Sequence, residues 1–359
     1  MIIIGGGIAG LSTAWQLAEL GLKDVLLLEA ESMLATHASA RNAAIFLPLE
    51  ESLSAVWLAA RSRDLLDVRL GTSWLSAQGV VLLARERDAL DELKFSARRL
   101  GVYHERWSAD DIAQGLPLLA QGECSEALRL PLGGVMDVHM VLTNMRRWAQ
   151  QAGVQVVTGA RVAAVETSGS RIAGVTLEDG RRVASERVVL ACGAWGGALG
   201  AQAGSRLGLR ALRRHLVYLV GRGMPRWDTP VVWRVDEPIY YRPEAGGVLA
   251  SPCDEVPFEP CLPPADPVAL EQLADRLGRL APTLAESSTV QRSWACLRTM
   301  SDDRELAVGA DAKVKGLYWC AGLGGRGMTC GTAAGELLAR SLVGLAHPLA
   351  RTLTPERFG

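Results

Sequence analysis

The first thirty residues contain the pattern that most constrains what this chain can fold into. An apolar, β-branched run at residues 2–4 is followed by GGGIAG at residues 5–10 and then by apolar positions at helical spacing. A second apolar run at residues 25–28 ends on Glu29. This order predicts a strand, a tight glycine turn, a helix and a second strand that ends on an acid.

The glycines and the acid have separate tasks in such a turn. Gly5 allows the turn, Gly7 lets the backbone approach a pyrophosphate, and Gly10 lets helix and strand pack closely. The phosphates then lie at the helix N-terminus, where free N–H groups and the helix dipole favour negative charge. Glu29 is placed to accept hydrogen bonds from a ribose diol. A glycine-rich turn that binds nothing is the alternative, and it leaves the position of Glu29 unexplained.

Length and charge limit the possible functions. At 359 residues the chain can bury a large core, and we expect two interleaved domains. Its 38 basic and 39 acidic residues give a net charge of −1, so charge does not favour binding to nucleic acid or to an anionic membrane. The chain starts directly on a strand and has no apolar run long enough to span a bilayer. We therefore expect a soluble, cytoplasmic protein without a transmembrane segment.

Cysteine usage indicates a reducing compartment. The chain has seven cysteines, none in CxxC spacing and none with a histidine at metal-ligand spacing. This pattern predicts free thiols and no metal site.

The polar segment ATHASARNAA at residues 35–44 follows the second strand. Ser39 and Asn42 can hydrogen-bond phosphate or ring edges, and Arg41 can neutralise a phosphate. An ordinary surface loop is the alternative. Residues 45–54 form either a mobile lid over a pocket or a plain connection to the next helix.

The middle of the chain is rich in strand patterns. Helical spacing predicts helices at residues 55–68, 85–101, 137–152 and 268–280. Strands alternate around turns at residues 161–165 and 172–177, which predicts an antiparallel β-meander. A buried strand at residues 188–193 then runs into Trp195. The inserted meander favours a flavin-type dinucleotide domain over a nicotinamide-type domain.

A strand-rich region with cations and phenols comes next, with strands predicted at residues 216–220, 231–235 and 239–242. After a Pro-rich connector at residues 251–267, RSWACLR at residues 292–298 indicates a strand of alternating faces. Arg298 shares a face with Trp294 and Cys296 on this pattern. Its planar fork suits a substrate carboxylate. The alternative is an inter-domain salt bridge.

A second glycine-rich turn lies near the C-terminus. The buried strand LYWCA at residues 317–321 precedes GLGGRGMTCG and a further helical pattern. A helix N-terminus here could place positive partial charge against an isoalloxazine ring that becomes anionic on reduction. Two such turns meeting one extended cofactor fit FAD better than any shorter nucleotide.

Together these motifs resemble the FAD-dependent D-amino-acid oxidase (DAO) superfamily, in particular bacterial members similar to glycine oxidase and D-arginine dehydrogenase. The resemblance runs almost end to end, through GGGIAG with Glu29, ASARNAA, VVLACGAW, IYYRPEAGG, SWACLRTMSDD and AGLGGRGMT. The first motif is shared by many dinucleotide enzymes, whereas the ASxRN-type segment together with the C-terminal turn is more specific.

The resemblance implies an α/β fold with two domains. A glutathione-reductase-type, Rossmann-like FAD-binding domain, with a parallel sheet and a β-meander, would comprise residues 1–76, 135–205 and 305–350. A substrate domain with helices and a mixed, largely antiparallel β-sheet would comprise residues 77–134 and 206–304.

The resemblance also implies the residues of the site. Arg298 corresponds to the carboxylate-binding arginine of the family, and Tyr240 looks like the phenol that assists it. Relatives that attach flavin covalently do so through a cysteine where Thr299 and Met300 stand here, so we expect noncovalent FAD. The residues expected to bind FAD are Gly5, Gly7, Ile8, Ala9, Gly10, Glu29, Ala30, Ser39, Arg41, Asn42, Ala43, Ala44, Val162 on the adenine side, Gly193, Trp195, Gly324, Gly325, Arg326, Gly327, Met328 and Thr329.

The chemistry implied is hydride transfer from the substrate α-carbon to flavin N5. The resulting imine would be hydrolysed to a keto acid and ammonia, and dioxygen or a quinone would reoxidise the flavin. A D-amino acid is the favoured substrate. Two alternatives are oxidation of glycine, sarcosine or an opine-type secondary amine, and an FAD-binding subunit of a hetero-oligomeric amine dehydrogenase. An oligomer is compatible with either. Ile45 and Phe46 stand where such dehydrogenases often have a histidine or tyrosine, which leaves the particular substrate open.

Overall fold

The computed structural model describes residues 1–345 and 347–359, and two large sheets dominate it. The α-helices in chain order are α1 (Ile8–Glu19), α2 (Leu53–Leu70), α3 (Asp91–Leu100), α4 (Ala109–Gly115), α5 (Val138–Gln151), α6 (Gly196–Gln202), α7 (Pro267–Leu280), α8 (Pro282–Ser287), α9 (Gly327–Leu342) and α10 (Pro348–Leu353). Short 3-10 helices span Arg87–Leu90, Gly193–Trp195 and Pro355–Phe358.

The strands are short in the first sheet and longer in the second. In chain order they are β1 (Ile2–Ile4), β2 (Leu26–Leu28), β3 (Ile45–Phe46), β4 (Leu75–Ser76), β5 (Val80–Ala84), β6 (Glu105–Ser108), β7 (Glu126–Leu130), β8 (Gly134–Met136), β9 (Gln155–Val157), β10 (Val162–Ser168), β11 (Arg171–Leu177), β12 (Arg182–Ala184), β13 (Val188–Leu190), β14 (Leu209–Gly221), β15 (Val231–Arg234), β16 (Ile239–Glu244), β17 (Gly247–Ser251), β18 (Val256–Pro257), β19 (Ser288–Ser301), β20 (Ala307–Ala310) and β21 (Leu317–Ala321).

The first sheet has the strand order β20-β21-β13-β1-β2-β9. All its neighbours are parallel except the edge strand β20, which pairs antiparallel with β21. Its central strands β1 and β13 are buried along their whole length, as expected for a parallel sheet covered on both faces. The predicted strand, turn, helix and second strand are confirmed, and the β-meander β10-β11-β12 is a separate antiparallel sheet.

The second sheet has the order β18-β14-β17-β16-β15-β5-β7-β6, with β19 along the other side of β14. Among its described strand pairs, only β5 with β15 is parallel. A mixed, largely antiparallel sheet was predicted, and the structure confirms it. Its strands come from residues 77–134 and 206–304, whereas those of the six-stranded sheet come from the other predicted segments. The division into an FAD-binding and a substrate domain stays a prediction.

One predicted helix has the wrong bounds. Residues 85–101 do not form a single helix, because the main-chain N–H groups of Arg85 and Glu86 donate to a carboxylate oxygen of Asp236, at 2.7 and 3.2 Å. Glu86 is therefore held in an extended conformation. A 3-10 turn follows, and α3 starts only at Asp91.

Two predicted strands are longer than their patterns indicated. β14 and β19 pair along thirteen register positions, whereas the predicted strands cover only residues 216–220 and 292–298. The arginines of β14 do not interrupt the strand, because acidic side chains pair with them. Arg213 pairs with Asp266, and the Arg214 guanidinium lies 2.5 Å from Glu255.

Close packing of α1 against α9 brings the two glycine turns together. A Cβ on Gly331 would lie 2.7 Å from a side-chain carbon of Ile8, and one on Gly335 would overlap Ser12. The Ser12 hydroxyl donates to the carbonyl of Gly331 at 2.8 Å. The N-termini of the two helices therefore lie side by side although they are far apart in the sequence.

Gly10 offers a direct test of the N-terminal turn. A Cβ at this position would overlap the Gly5 carbonyl oxygen, so we expect Gly10→Ala to lower the free energy of unfolding by about 3 kcal/mol. The matched control is Gly278→Ala in α7, where no atom lies within 4 Å of the added carbon. That control should gain about 0.5 to 1 kcal/mol from helix propensity. Urea unfolding measures both, and equal effects would contradict the packing described here.

Candidate active site

Both glycine turns line one cavity of about 540 Å³. Residues from the segments of both large sheets contribute to its wall. The residues predicted for the cofactor line it, together with Tyr240 and Arg298, with the exception of Gly10. Gly10 lies beneath the turn, where it allows α1 to approach the strand. The structure thus brings the predicted site residues together, while their individual roles stay predictions.

Glu29 is fixed at the end of β2 by main-chain donors. Its two carboxylate oxygens accept hydrogen bonds from the N–H groups of Gly6, at 2.6 Å, and Glu31, at 2.9 Å. The side chain is only 8% exposed yet lines the cavity. Each carboxylate oxygen keeps a second lone pair, so the group can still accept from a ribose diol. The role of Gly6 was missed, although its place beside Gly5 and Gly7 is visible in the sequence.

The loop at residues 35–44 differs in part from the expectation. Asn42 uses its side chain on the loop itself, since its amide nitrogen donates to Ser39 O at 2.7 Å and its oxygen accepts from Ala44 N at 2.8 Å. It shapes the loop without needing a ligand. Ser39 Oγ accepts from the Ile8 N–H at the start of α1, at 2.9 Å, so its own hydrogen can be donated to an anion.

Arg41 lines the cavity but leans towards the larger sheet. Its Nε donates to the carbonyl of Ala295 on β19 at 3.4 Å. Neutralisation of a phosphate by Arg41 stays a prediction.

Residues 45–54 are anchored to the rest of the protein. Ile45 and Phe46 pair with β8, and the Leu47 N–H donates to the Thr329 hydroxyl at 3.3 Å. Ser52 caps α2, which begins two residues earlier than predicted. Of the two readings of this segment, these contacts favour the plain connection over the lid.

The second glycine turn is held by β19 and by an ion pair. Gly324 has φ +56° and donates from its N–H to the Thr299 carbonyl at 2.9 Å. Arg326, the N-cap of α9, lies 3.5 Å from Glu50. Burial raises the pKa of the Glu50 carboxyl to about 7, and Arg326 opposes this rise. A carboxyl of nearly neutral pKa therefore lines the cavity, and no pattern in the sequence predicts it.

Arg298 on β19 and Tyr240 on β16 line the cavity from the larger sheet. Arg298 is 6% exposed, and its Nη1 donates to Cys296 Sγ at 2.8 Å. Within residues 1–345 and 347–359, no carboxylate forms a salt bridge with Arg298, so the predicted alternative of an inter-domain salt bridge finds no partner. Burial raises the pKa of the Tyr240 phenol to about 12, and its ring lies 4.8 Å from that of Trp233.

Several cavity residues were not singled out from the sequence. These residues are His37, Trp233 and Arg214, which all line the cavity. The ring of His37 lies 4.6 Å from that of Trp195, a predicted cofactor-binding residue. A short segment of the Pro-rich connector, at residues 261–263, completes the wall. Arg214 and Trp233 lie in the region predicted to bring cations into apolar strands, whereas no local signal joins His37 to Trp195.

The groups along the cavity fit FAD. The first turn of α1 presents N–H groups without carbonyl partners in the helix, and Ser39 and Arg41 add donors suitable for a diphosphate. Glu29 suits the ribose, and the cavity volume lies within the usual range for cofactor sites, about 300 to 1,000 Å³. A Cβ on Gly7 would lie 2.9 Å from Ser39 Oγ, so the turn leaves no room for a side chain there.

The protein has a parallel sheet with two glycine turns on one cavity, beside a mixed sheet with a buried arginine. This combination is typical of dinucleotide-binding oxidoreductases. The chain belongs to the FAD dependent oxidoreductase family (DAO), whose sequence profile matches residues 1–341. The predicted family and its cofactor, FAD, are thereby confirmed.

Relatives with curated functions match over nearly the whole chain. The mitochondrial pyruvate dehydrogenase phosphatase regulatory subunit of Mus musculus is 26% identical over 383 residues, covering 100% of this chain and 43% of the relative. The mitochondrial sarcosine dehydrogenase of Homo sapiens is 27% identical over 368 residues, covering 96% of this chain and 39% of the relative. The chain thus spans about two fifths of the length of these relatives.

Solved structures share the fold. L-proline dehydrogenase from P. horikoshii superposes with a TM-score of 0.88 at 20% identity, covering 99% of this chain and 96% of the other. Glycine oxidase from Geobacillus kaustophilus gives a TM-score of 0.82 at 23% identity, with 98% and 97% coverage. These likenesses confirm the predicted α/β architecture. In the described residues, the helices lack the combined length and apolar character needed to cross a bilayer.

Glu50 provides a test of cavity electrostatics. Its pKa is about 7 in the folded chain against an ordinary value of 4.5, so the folded state binds more protons between these pH values. Wild-type stability should therefore fall as pH rises through this window. Glu50→Gln removes the effect, and its free energy of unfolding relative to wild type should rise by at most about 3 kcal/mol between about pH 5 and pH 8.

The matched control for this prediction is Glu51→Gln, because Glu51 is an exposed neighbour outside the cavity. Urea unfolding across the pH range measures the three proteins. A constant difference between Glu50→Gln and wild type would contradict the raised pKa.

Proposed function

We propose that this chain is an FAD-dependent oxidoreductase that oxidises the carbon–nitrogen bond of a small amine bearing a carboxylate. The observation that supports this best is Arg298, a buried guanidinium that lines the cavity and has no carboxylate partner among the described residues. A buried, unpaired charge is costly, and an incoming carboxylate relieves that cost.

Most of the other cations of the cavity wall have a carboxylate partner within the protein. Arg161 pairs with Glu31 and Glu178, at 3.0 and 3.6 Å, and Arg326 pairs with Glu50.

Arg214 is likewise paired, with Glu255. Arg41 and Arg298 therefore remain for ligands. If Arg41 serves the cofactor diphosphate, Arg298 is the cation left for a substrate. One such cation favours a substrate with a single carboxylate in this part of the cavity.

Tyr240 supports the same role. Because the pKa of its buried phenol is about 12, the hydroxyl keeps its proton at neutral pH and can donate to a carboxylate oxygen. The positive charge of Arg298 opposes the rise of the Tyr240 pKa, as expected if the two side chains are neighbours. The two side chains together can fix one end of the substrate.

FAD, held noncovalently, would supply the acceptor for the hydride that leaves the substrate carbon. The contribution of this chain is to bind the carboxylate through Arg298 and Tyr240 and so to restrict the orientation of the carbon and nitrogen attached to it. Positioning of this kind can lower a barrier by several kcal/mol, up to about 7 to 11 kcal/mol in favourable cases.

Two substrate classes follow, and a panel of amines separates them. A D-amino acid is the class favoured by the sequence resemblance. The names of sarcosine dehydrogenase and L-proline dehydrogenase favour a secondary amine instead, since both name secondary amino acids. Anaerobic mixing of the holoprotein with D-, L- and N-methyl amino acids, followed by loss of flavin absorbance, identifies the class that reduces the flavin.

A regulatory role is the remaining alternative, because one relative is named as a regulatory subunit. Failure of every amine to bleach the flavin, together with co-purification of a second polypeptide, would favour this alternative over the enzyme.

The decisive variant is Arg298→Ala. We expect KM for the amino-acid substrate to rise by about 10² to 10³-fold, because truncating a buried charge partner typically costs about 2 to 5 kcal/mol. The visible spectrum of the bound flavin should stay unchanged. Steady-state kinetics and absorbance spectra measure both.

The control for this prediction is Arg292→Ala on the same strand. Arg292 is exposed, stacks over Trp294 at 5.3 Å and does not line the cavity, so its removal should leave KM near the wild-type value. Unchanged kinetics in Arg298→Ala would remove Arg298 from the site.

A further inference from the structure

A short stretch of the Pro-rich connector forms part of the cavity wall without being part of either sheet. We call residues 259–265, with the sequence EPCLPPA, the strap. Its central residues 261–263 line the cavity, and Leu262 is largely exposed at the same time. The strap therefore lies between cavity and solvent. Its three prolines fix φ at three positions, so it is stiff and its position depends on its two ends.

The first end of the strap is held on the edge of β14. β18 pairs with Leu212 and Arg213, and the Phe258 N–H donates to the Ala211 carbonyl at 3.0 Å. The Arg213 guanidinium lies 4.8 Å from the centre of the Phe258 ring. This end is thus joined to the larger sheet by backbone and side-chain contacts.

The second end is held at Asp266. Its N–H donates to His215 Nε2 at 2.9 Å, and its carboxylate pairs with Arg213. The same carboxylate caps α7 by accepting from the Val268 N–H at 3.0 Å. Arg213 and His215 are two residues apart on β14 and so share a face of the strand.

His215 is placed for this task alone. It is 0% exposed and does not line the cavity. Its Nδ1 lies 2.7 Å from Asp254 Oδ2, and its main-chain N–H donates to Asp254 Oδ1 at 2.8 Å. Because the Asp266 N–H can only donate, Nε2 must accept, and Nδ1 then has the proton that is donated to Asp254. A neutral imidazole thus joins Asp254, which precedes the strap in the sequence, to Asp266, which directly follows it.

We propose that His215 is the positioning residue that holds the strap against the cavity and so determines which amines the cavity admits. His215 touches neither cavity nor ligand, and it acts through Asp254 and Asp266. The effect on substrate choice rests on the proposed function, whereas the effect on the strap does not.

Cys261 reports the position of the strap without any turnover. It lies on the strap, lines the cavity and is partly exposed. Its rate of reaction with an aromatic disulfide reagent is measured in the holoprotein as the difference from a Cys261→Ser version of each variant, which subtracts the other thiols. We expect His215→Phe to react about tenfold faster than wild type, which corresponds to about 1.4 kcal/mol of lost strap closure.

Two variants separate positioning from general loosening. His215→Gln retains a donor for Asp254 and an acceptor for Asp266, so the rate for Cys261 should return close to wild type. His104→Phe alters a partly buried histidine that does not line the cavity and should leave the rate unchanged. Equal rates in all variants, or an equal increase in His104→Phe, would overturn the proposal.

If His215→Phe fails to fold, hydrogen exchange of the wild-type holoprotein tests the hydrogen bond between Asp266 and His215 instead. The amide of Asp266 should exchange as slowly as the paired amides of β14, and the amides of the strap should exchange faster. An Asp266 amide that exchanges as fast as the strap would overturn the proposal, because His215 would then not hold it.

If the proposed function also holds, His215→Phe should raise kcat/KM for bulky amines relative to small ones. If Cys261 reacts faster in His215→Phe but the holoprotein oxidises no amine, the result contradicts the proposed function and supports the positioning role of His215. If Cys261 reacts at the wild-type rate in His215→Phe and the holoprotein oxidises amines, the result contradicts only the positioning role of His215.

Discussion

The contact between α1 and α9 is the interaction on which the site depends. Each helix begins at one of the glycine turns, and Gly331 and Gly335 allow backbone-to-side-chain approach to Ile8 and Ser12. Larger residues at the two glycines would push the helices apart and separate their N-termini. Since both turns line the same cavity, the shape of the cofactor site is set by this helix contact, in which Ile8 also lines the cavity.

The part of the fold that could be predicted is the part encoded by neighbouring residues. The strand, turn, helix and acid at residues 1–29 are all close in sequence, so periodicity and glycine placement suffice. The spacing of glycines 327, 331 and 335 is equally visible, yet it indicates close packing only once the partner helix is known. Strand length was underestimated at β14 because arginines are normally exposed, and only the tertiary structure supplies their acids.

The same division applies to the site. The loop with Ser39 and Asn42 was located from its motif, but the hydrogen bonds of Asn42 to its own backbone follow from the loop geometry and not from residue type. Burial raises the pKa of the Glu50 carboxyl, and its ion-pair partner Arg326, which lies near the other end of the sequence, opposes that rise. Pairings over such separations have no local pattern, which is why residue chemistry alone gave the class of ligand but not the full set of partners.

Access to the cavity is where sequence and structure lead to different elements. From the sequence, residues 45–54 form either a lid or a plain connection. In the structure they pair with β8, hydrogen-bond to Thr329 and lead into α2, so moving them would break contacts in the core. The strap has no strand pairing of its own, and its ends rest on Arg213 and His215. Segments with few buried contacts open at lower free energy than segments built into a sheet. If a ligand enters by local opening, the strap therefore costs less to displace than residues 45–54, and the contacts of its two ends with Arg213 and His215 would set that cost.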